Sequence, residues 1–200
     1  MLRRFVEEAQ IGGQLQHPGI VPVYEMGIRQ DEQAYFTMKL IRGRTLSALL
    51  KERQDVAQDR RRYLSIFEAV CQTVAYAHSR GVIHRDLKPT NVMVGSFGEV
   101  QVVDWGFAKV IDAPAKPRPV STDDDPPVHT VRSGATHQAS QVGSAMGTPA
   151  YMPPEQAYGD GEHTDERSDV FSLGATLCEI LTGEPPYRKA DGNPLVQAAQ

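Results

Sequence analysis

The first fifteen residues follow a helical pattern, with small or apolar side chains every three or four positions among charged and polar ones: Phe5, Ala9, Gly12 and Leu15. That spacing places them on one face of a helix and predicts a surface helix over residues 2–15. Pro18 and Gly19 follow, and both residue types interrupt helices, so we expect the helix to end before them.

Short alternating stretches predict two β-hairpins. Residues 20–25 and 35–40 are expected to be strands joined by the polar turn 29–32. Residues 91–94 and 100–103 flank a glycine-containing turn, which predicts a second hairpin.

Three further helices are predicted. Thr45 can cap a short helix that runs to Lys51. Residues 62–79 form a longer amphipathic helix, and Gly81 stands where a left-handed C-terminal cap is needed. Residues 170–181 are apolar almost all round, which predicts a helix buried on every side. The residues expected on the buried face of the helix over 62–79 are Leu64, Phe67, Val70, Val74 and Ala77.

Residues 111–145 show neither the helical spacing of apolar residues nor the alternation that is typical of a strand. They hold five prolines, a run of three aspartates and many serines and threonines: Pro114, Pro117, Pro119, Pro126, Pro127 and Asp123, Asp124, Asp125. Such a segment buries too little apolar surface to offset the entropy lost on ordering, so the sequence predicts a mobile loop.

Composition is that of an ordinary globular domain, with 200 residues of which 40% are hydrophobic and 23% charged. The net charge of −4 argues against nucleic acid or an anionic membrane as the main partner. The apolar stretch 170–181 is too short to span a bilayer, so we expect no membrane contact from this segment and a cytoplasmic location. Cys71 and Cys178 lie far apart and are expected to be buried thiols in a reducing compartment.

The strongest chemical signal is the stretch HRDLKPTN at residues 84–91, followed by Asp-Trp-Gly after the second hairpin. Asp86 is a carboxylate that can accept a hydroxyl proton, and Lys88 is a cation suited to a phosphoryl group in transfer. Asn91 and Asp104 offer the hard oxygen ligands that Mg²⁺ prefers beside phosphate. The hairpin between them brings these parts of a phosphoryl-transfer site together.

These two motifs resemble the catalytic loop and metal-binding motif of Hanks-type protein kinases, with the bacterial serine/threonine kinases the best match. The resemblance implies that Asp86 orients the substrate hydroxyl and that Lys88 stabilises the γ-phosphate of ATP. It also implies that Asn91 and Asp104 hold Mg²⁺, and Lys88 favours serine and threonine over tyrosine as substrate residues.

The resemblance also implies an α+β, protein-kinase-like bilobal fold with an incomplete small lobe and a mostly helical large lobe. Residues 1–41 would form part of the small lobe, with its regulatory helix and two strands. Residues 42–200 would form the large lobe without its last helices, and residues 107–146 its long activation loop. The family's glycine-rich loop and strand lysine have no counterpart in the sequence, so we expect a kinase domain truncated at both ends.

Nucleotide contacts are implied residue by residue. Glu8 resembles the helix glutamate that pairs with the ATP-binding lysine of the family. Met38 corresponds to the gatekeeper, and the backbone of Lys39 and Ile41 would meet adenine. Met93 would form the apolar floor below the base. The alternatives are a solvated helix glutamate and core packing for the two methionines.

Residues 147–155 resemble the family's substrate-docking segment, which ends at Glu155, although Pro153 replaces the usual alanine. Residues 168–174 resemble the start of the central helix, where Asp169 would hold the backbone of the catalytic loop and could also cap the helix. Trp105 replaces the usual phenylalanine and is expected to pack beneath the regulatory helix.

Regulation is expected at the activation loop. Arg85 would receive a phosphate there, because new Arg–phosphate contacts can order such loops. Thr148 is expected to work structurally beside Asp86. The candidate phosphorylation sites are Thr130, Ser133, Thr136, Ser140 and Ser144, each of which is more often unmodified than modified.

Two functions remain open. The first is a protein serine/threonine kinase, with ATP and Mg²⁺ as cofactors and proteins bearing serine or threonine as substrates. The second is a pseudokinase, a binding or scaffolding module without catalysis. The set Asp86, Lys88, Asn91 and Asp104 favours the first, because a scaffold has no need of a complete base and metal set.

Overall fold

The structure is a computed structural model that describes residues 2–111, 128–130, 148–159 and 164–187. It confirms the mixed α+β fold, with helices and small antiparallel sheets. The helices are α1 Leu2–Gln14, α2 Leu46–Lys51, α3 Arg60–Ser79, α4 Pro154–Ala157 and α5 Glu166–Thr182. The strands are β1 Val23–Ile28, β2 Ala34–Met38, β3 Arg44–Thr45, β4 Val82–Ile83, β5 Val92–Val94, β6 Val100–Val102 and β7 Lys109–Val110.

The described strands form three antiparallel sheets, β1–β2, β3–β5–β6 and β4–β7. The predicted second hairpin is confirmed as β5–β6, with Val92 opposite Val102. The first strand is misplaced in the prediction, because β1 begins at Val23 rather than at residue 20. Ile20 instead forms an isolated parallel bridge with Val102, and Pro22 has no N–H to donate to a ladder.

The two predicted caps are confirmed. The Thr45 side chain accepts a hydrogen bond of 3.1 Å from the Ala48 N–H at the start of α2. Gly81 follows α3 with φ +74°, and its N–H donates to the His78 carbonyl. Residues at these positions therefore fix where α2 begins and where α3 ends.

The buried stripe of α3 is only partly the one predicted. Leu64 is 39% exposed, so its assignment to the buried face is wrong. Phe67 is half-buried and packs against the core, so its assignment is only partly right. The helix packs against α5, β4 and β6, and this contact buries Tyr63 and Ile66 in their place. The buried residues of α3 are Tyr63, Ile66, Val70, Thr73, Val74 and Ala77.

Helix α5 is not buried on every side in the described part of the chain. Val170 is 59% exposed and Leu181 is 40% exposed, and Gly174 lies exposed between them on the same face. The opposite face is buried where α5 packs on α3. The prediction of all-round burial is therefore wrong for one face. The buried apolar residues of α5 are Leu173, Ala175 and Ile180.

Both cysteines are free thiols that are half-buried rather than buried. Burial raises the pKa of the Cys71 thiol, which keeps it protonated at neutral pH. Within the described ranges, no helix combines the length and the apolar character needed to cross a membrane.

Most of the segment predicted as a mobile loop lies outside the described residues, as do the candidate sites Ser133, Thr136, Ser140 and Ser144. Its described parts are Ile111 and residues 128–130. Val128 is only 2% exposed and belongs to the hydrophobic core. The Gln14 side chain accepts from the His129 N–H at 3.0 Å and donates to the His129 carbonyl at 2.6 Å. These residues are therefore held against α1.

Candidate active site

The catalytic loop, residues 84–91, follows β4, and a buried carboxylate of α5 binds its first two residues. Asp169 is fully buried and accepts hydrogen bonds of 2.8 Å from the backbone N–H groups of His84 and Arg85. Its Oδ2 also lies 2.8 Å from His78 Nε2 on α3. One side chain thus joins two helices to the loop. The interpretation of Asp169 as a helix cap is wrong, because Asp165 caps α5 by accepting from the Arg167 N–H.

Arg85 adopts a left-handed backbone with φ +67°, which is uncommon for a residue other than glycine. Its neighbours fix this conformation. The Arg85 N–H donates to Asp169, its carbonyl accepts 3.0 Å from Gln156 Nε2, and its own Nε donates 2.6 Å to the Phe107 carbonyl. The strained residue directly before Asp86 is therefore held on three sides.

His84 packs between the catalytic loop and the strand that leads to Asp104, as a neutral ring. It is fully buried, and this burial lowers its pKa. Its Nδ1 accepts from the Asp86 N–H at 3.3 Å and its Nε2 lies 3.1 Å from the Val103 carbonyl. The two bonds require Nε2 to carry the proton, which matches a neutral imidazole.

The Asp86 carboxylate is the centre of the cluster. Asp86 is 5% exposed, and Lys88 Nζ donates to its Oδ2 at 2.5 Å. Thr148 donates to Oδ1 at 3.1 Å, and Thr148 Oγ1 accepts from Lys88 Nζ at 2.7 Å. Asn91 Nδ2 completes the set at 3.3 Å from Oδ2. A carboxylate fixed in this way beside a cation can accept a proton from a hydroxyl group.

Asn91 and Asp104 are brought together by the β5–β6 hairpin. The Val103 N–H donates to the Asn91 carbonyl at 2.9 Å, which places Asp104 next to Asn91. Asn91 Nδ2 donates 2.9 Å to the Asp86 carbonyl, so its amide oxygen is left as the group that can coordinate a cation. Asp104 is exposed. This donor set fits Mg²⁺, which binds through one or two protein oxygens and phosphate.

Gly106 shows how closely two carboxylates approach here. A Cβ at this position would lie 3.2 Å from Glu8 Oε2 and 3.3 Å from Asp104 Oδ1, so a larger residue would crowd both. Burial and the neighbouring Asp104 raise the pKa of Glu8. The Glu8 side chain of α1 therefore lies close to the Asp104 carboxylate.

We expect Glu8→Gln to raise the melting temperature at pH 7 in chelator-containing buffer. The pKa of Glu8 is raised in the folded state, so the folded protein favours the protonated carboxyl. The stability that protonation contributes is fully present below the unfolded pKa of 4.5 and is lost as the pH rises through the folded pKa. Glutamine resembles the protonated carboxyl and keeps this stability at neutral pH. The difference between variant and wild type should therefore be largest at neutral pH and shrink towards pH 4.5 in thermal melts. An equal difference at both pH values would contradict this.

Trp105 is 6% exposed and lies in a short 3₁₀ turn that packs against α1, as predicted from the sequence. Its indole Nε1 donates 3.2 Å to the Val102 carbonyl, a bond that phenylalanine cannot make. Its ring lies 4.7 Å from the His84 ring, centroid to centroid. The tryptophan therefore ties Asp104 to the catalytic loop.

The residues assigned to adenine lie at the end of β2 and in β5. Met38 is 43% exposed, which contradicts its alternative interpretation as a core residue. Lys39 is exposed and Ile41 half-buried in the segment after β2, and the Lys39 N–H donates to the Pro22 carbonyl. Met93 is half-buried in β5, opposite Gln101.

The predicted docking segment is bound to α5 by side-chain hydrogen bonds. Ser168 donates to Glu155 at 2.5 Å, and Ser172 donates to the Tyr151 carbonyl at 2.9 Å. The Tyr151 hydroxyl donates to Glu179 at 2.6 Å, and burial raises the pKa of both partners. The segment next to Thr148 is thus fixed relative to Asp86.

Three of the residues that build this site were not predicted from the sequence. His78 and Gln156 support the catalytic loop, and Glu179 binds the docking segment. The position of Gln156 directly after Glu155, at the end of the predicted docking segment, could have marked it as a candidate. His78 and Glu179 lie inside helices and carry no motif of their own.

Comparison with known proteins places the chain among the protein kinases. Residues 1–200 match the protein kinase domain family. The chain is 39% identical over 203 aligned residues to serine/threonine-protein kinase PknD of Chlamydia trachomatis serovar L2b, covering 96% of the chain and 21% of that protein. It is 38% identical to serine/threonine-protein kinase PknD of Protochlamydia amoebophila, covering 94% of the chain and 19% of that relative.

The chain therefore spans about a fifth of the length of the curated relatives that it matches. The resemblance to Hanks-type kinases, inferred from the catalytic loop and Asp-Trp-Gly, is confirmed by the family match. The motifs, the fold of the described residues and the relatives agree. The chain belongs to the protein kinase domain family.

Proposed function

We propose that this chain carries the catalytic site of a protein serine/threonine kinase, which transfers the γ-phosphate of ATP to serine or threonine hydroxyls. The observation that carries the proposal is the fixed Asp86 carboxylate, which is bound by Lys88, Thr148 and Asn91. The PknD relatives of the Chlamydia group support it, because their names state that activity.

In the proposed reaction, Asp86 orients the substrate hydroxyl and receives its proton. The hydroxyl oxygen forms a bond to the γ-phosphorus while the bond from that phosphorus to the bridging oxygen breaks, and ADP leaves. Lys88 stabilises negative charge on the phosphoryl oxygens during the transfer. Thr148 fixes the Asp86 carboxylate and the Lys88 ammonium group relative to each other, because its hydroxyl forms a hydrogen bond with each of them.

Asn91 and Asp104 would hold Mg²⁺, which neutralises phosphate charge when bound. Met38 would flank adenine as the gatekeeper, with the backbone of Lys39 and Ile41 meeting its polar edge. Met93 would lie beneath the base. The proposed partners of the whole protein are ATP and proteins bearing serine or threonine, and the proposed location of this segment is the cytoplasm.

Glu8 and three other residues are assigned roles around this centre. Glu8 would hold an ATP-binding lysine, and Asp169 would position the loop. Glu155 would anchor the docking segment. Arg85 would bind a phosphate on the activation loop, in addition to its bond to the Phe107 carbonyl.

The test is transfer of labelled γ-phosphate to a generic serine/threonine protein substrate with Mg²⁺, using the protein expressed from its complete gene. Asp86→Asn should lower the rate by about 10²–10⁴-fold, because it removes the proton acceptor while keeping the shape of the side chain. Asp31→Asn, in the exposed β1–β2 turn, is the matched control and should transfer normally.

Equal transfer by wild type and Asp86→Asn would sink the assignment of the base. Binding of ATP by the wild type without any transfer would support the alternative, a pseudokinase that acts as a binding or scaffolding module.

A further inference from the structure

We infer that Gln156 is a positioning residue that fixes the peptide between Arg85 and Asp86 and thereby the direction of the Asp86 carboxylate. The inference rests on the proposed kinase function of Asp86. Gln156 lies in α4, directly after the docking segment, and bonds to the backbone of the loop rather than to a reacting group.

The contact is buried and specific. Gln156 is 7% exposed, and its Nε2 donates a 3.0 Å hydrogen bond to the Arg85 carbonyl, 71 residues away along the chain. The backbone of Gln156 is itself anchored, because its N–H donates 3.1 Å to the Pro153 carbonyl. The donor is therefore presented from a fixed turn.

The position of the Arg85 carbonyl gives the hydrogen bond from Gln156 its importance. Arg85 has the left-handed φ of +67°, and the carbonyl belongs to the peptide that leads into Asp86. Asp169 holds the N–H of Arg85, and the His84 ring holds the N–H of Asp86. Gln156 supplies the bond on the carbonyl side of the same peptide, so its loss would remove one of the bonds that fix the orientation of that peptide.

The same contact links the proposed base to the docking segment. Glu155, next to Gln156, is bound by Ser168, and Tyr151 is bound by Ser172 and Glu179. A displacement of the docking segment would therefore be transmitted through the carboxamide to the Arg85–Asp86 peptide. This arrangement makes the geometry of the base depend on an ordered docking segment.

The test uses Gln156→Glu and Gln156→Met in the protein expressed from its complete gene, with Gln72→Glu on the exposed face of α3 as control. Both Gln156 variants should lower kcat on the order of 10²-fold at about pH 8, with the KM for ATP unchanged, because a displaced base misaligns the hydroxyl. Lowering the pH should partly restore Gln156→Glu relative to wild type, since the protonated carboxyl can donate to the Arg85 carbonyl. Gln156→Met should show no such recovery.

Amide hydrogen exchange of residues 84–87 gives a second readout that does not depend on transfer. Both variants should exchange faster there than wild type, while exchange in α3 stays close to wild type. Unchanged exchange at residues 84–87, or equal kcat losses in both variants at every pH, would overturn the inference. If the wild type transfers no phosphate, the proposed function fails, and the exchange result alone decides whether Gln156 fixes the loop.

Discussion

Asp169→Ala is expected to lower the free energy of unfolding by about 3–5 kcal/mol and to abolish measurable phosphoryl transfer. The fully buried carboxylate accepts from the N–H groups of His84 and Arg85 and from His78. Alanine would leave these donors without an acceptor inside the protein, and each buried unsatisfied group costs about 1–3 kcal/mol. Urea denaturation of variant and wild type measures the loss.

Asp165→Ala is the matched control for this prediction, because it removes an aspartate from the start of the same helix. Asp165 is the N-cap of α5 and is partly exposed, so its loss should cost only about 1 kcal/mol. It should also leave transfer intact. If Asp169→Ala and Asp165→Ala destabilised the protein equally, the attachment to α5 would not be the main support of the catalytic loop.

Asp104→Asn is expected to lower transfer on the order of 10²–10³-fold without a loss of stability, because it removes charge from the proposed Mg²⁺ site. Asp104 is exposed and has a left-handed φ of +65°, a conformation that asparagine adopts readily. The fold should therefore tolerate the change. A Mg²⁺ titration of the transfer rate should show a higher half-saturating concentration in the variant.

Thermal unfolding in chelator serves as the control for that variant and should give a melting temperature no lower than wild type. An unchanged Mg²⁺ titration curve would show that Asp104 does not hold the cation.

The local elements were predictable because short sequence segments determine them. Thr45 and Gly81 fix the ends of α2 and α3 through their own backbone and side-chain bonds. The turn between β5 and β6 likewise needs only its own residues. The cluster in the catalytic loop was predictable for a different reason, since Asp86, Lys88 and Asn91 are close in sequence and contact one another in the fold.

What the sequence could not predict depends on contacts between distant segments. Leu64 fits a helical stripe, but the packing of α3 against α5 buries neighbouring positions instead. Val128 stands in a polar stretch, yet it is buried, and Gln14 binds the adjacent His129 backbone. The bond from Gln156 to the Arg85 carbonyl crosses 71 positions and leaves no periodic trace.

The most direct test of the central claim is to identify the amino acid that carries label after the protein is incubated with Mg²⁺, a mixed protein substrate and ATP radiolabelled at its γ-phosphate. We expect label on serine and threonine and none on tyrosine, and we expect the labelling to require Mg²⁺ and to be lost in Asp86→Asn. Bound ATP with no labelled amino acid, or label that persists in Asp86→Asn, would contradict it.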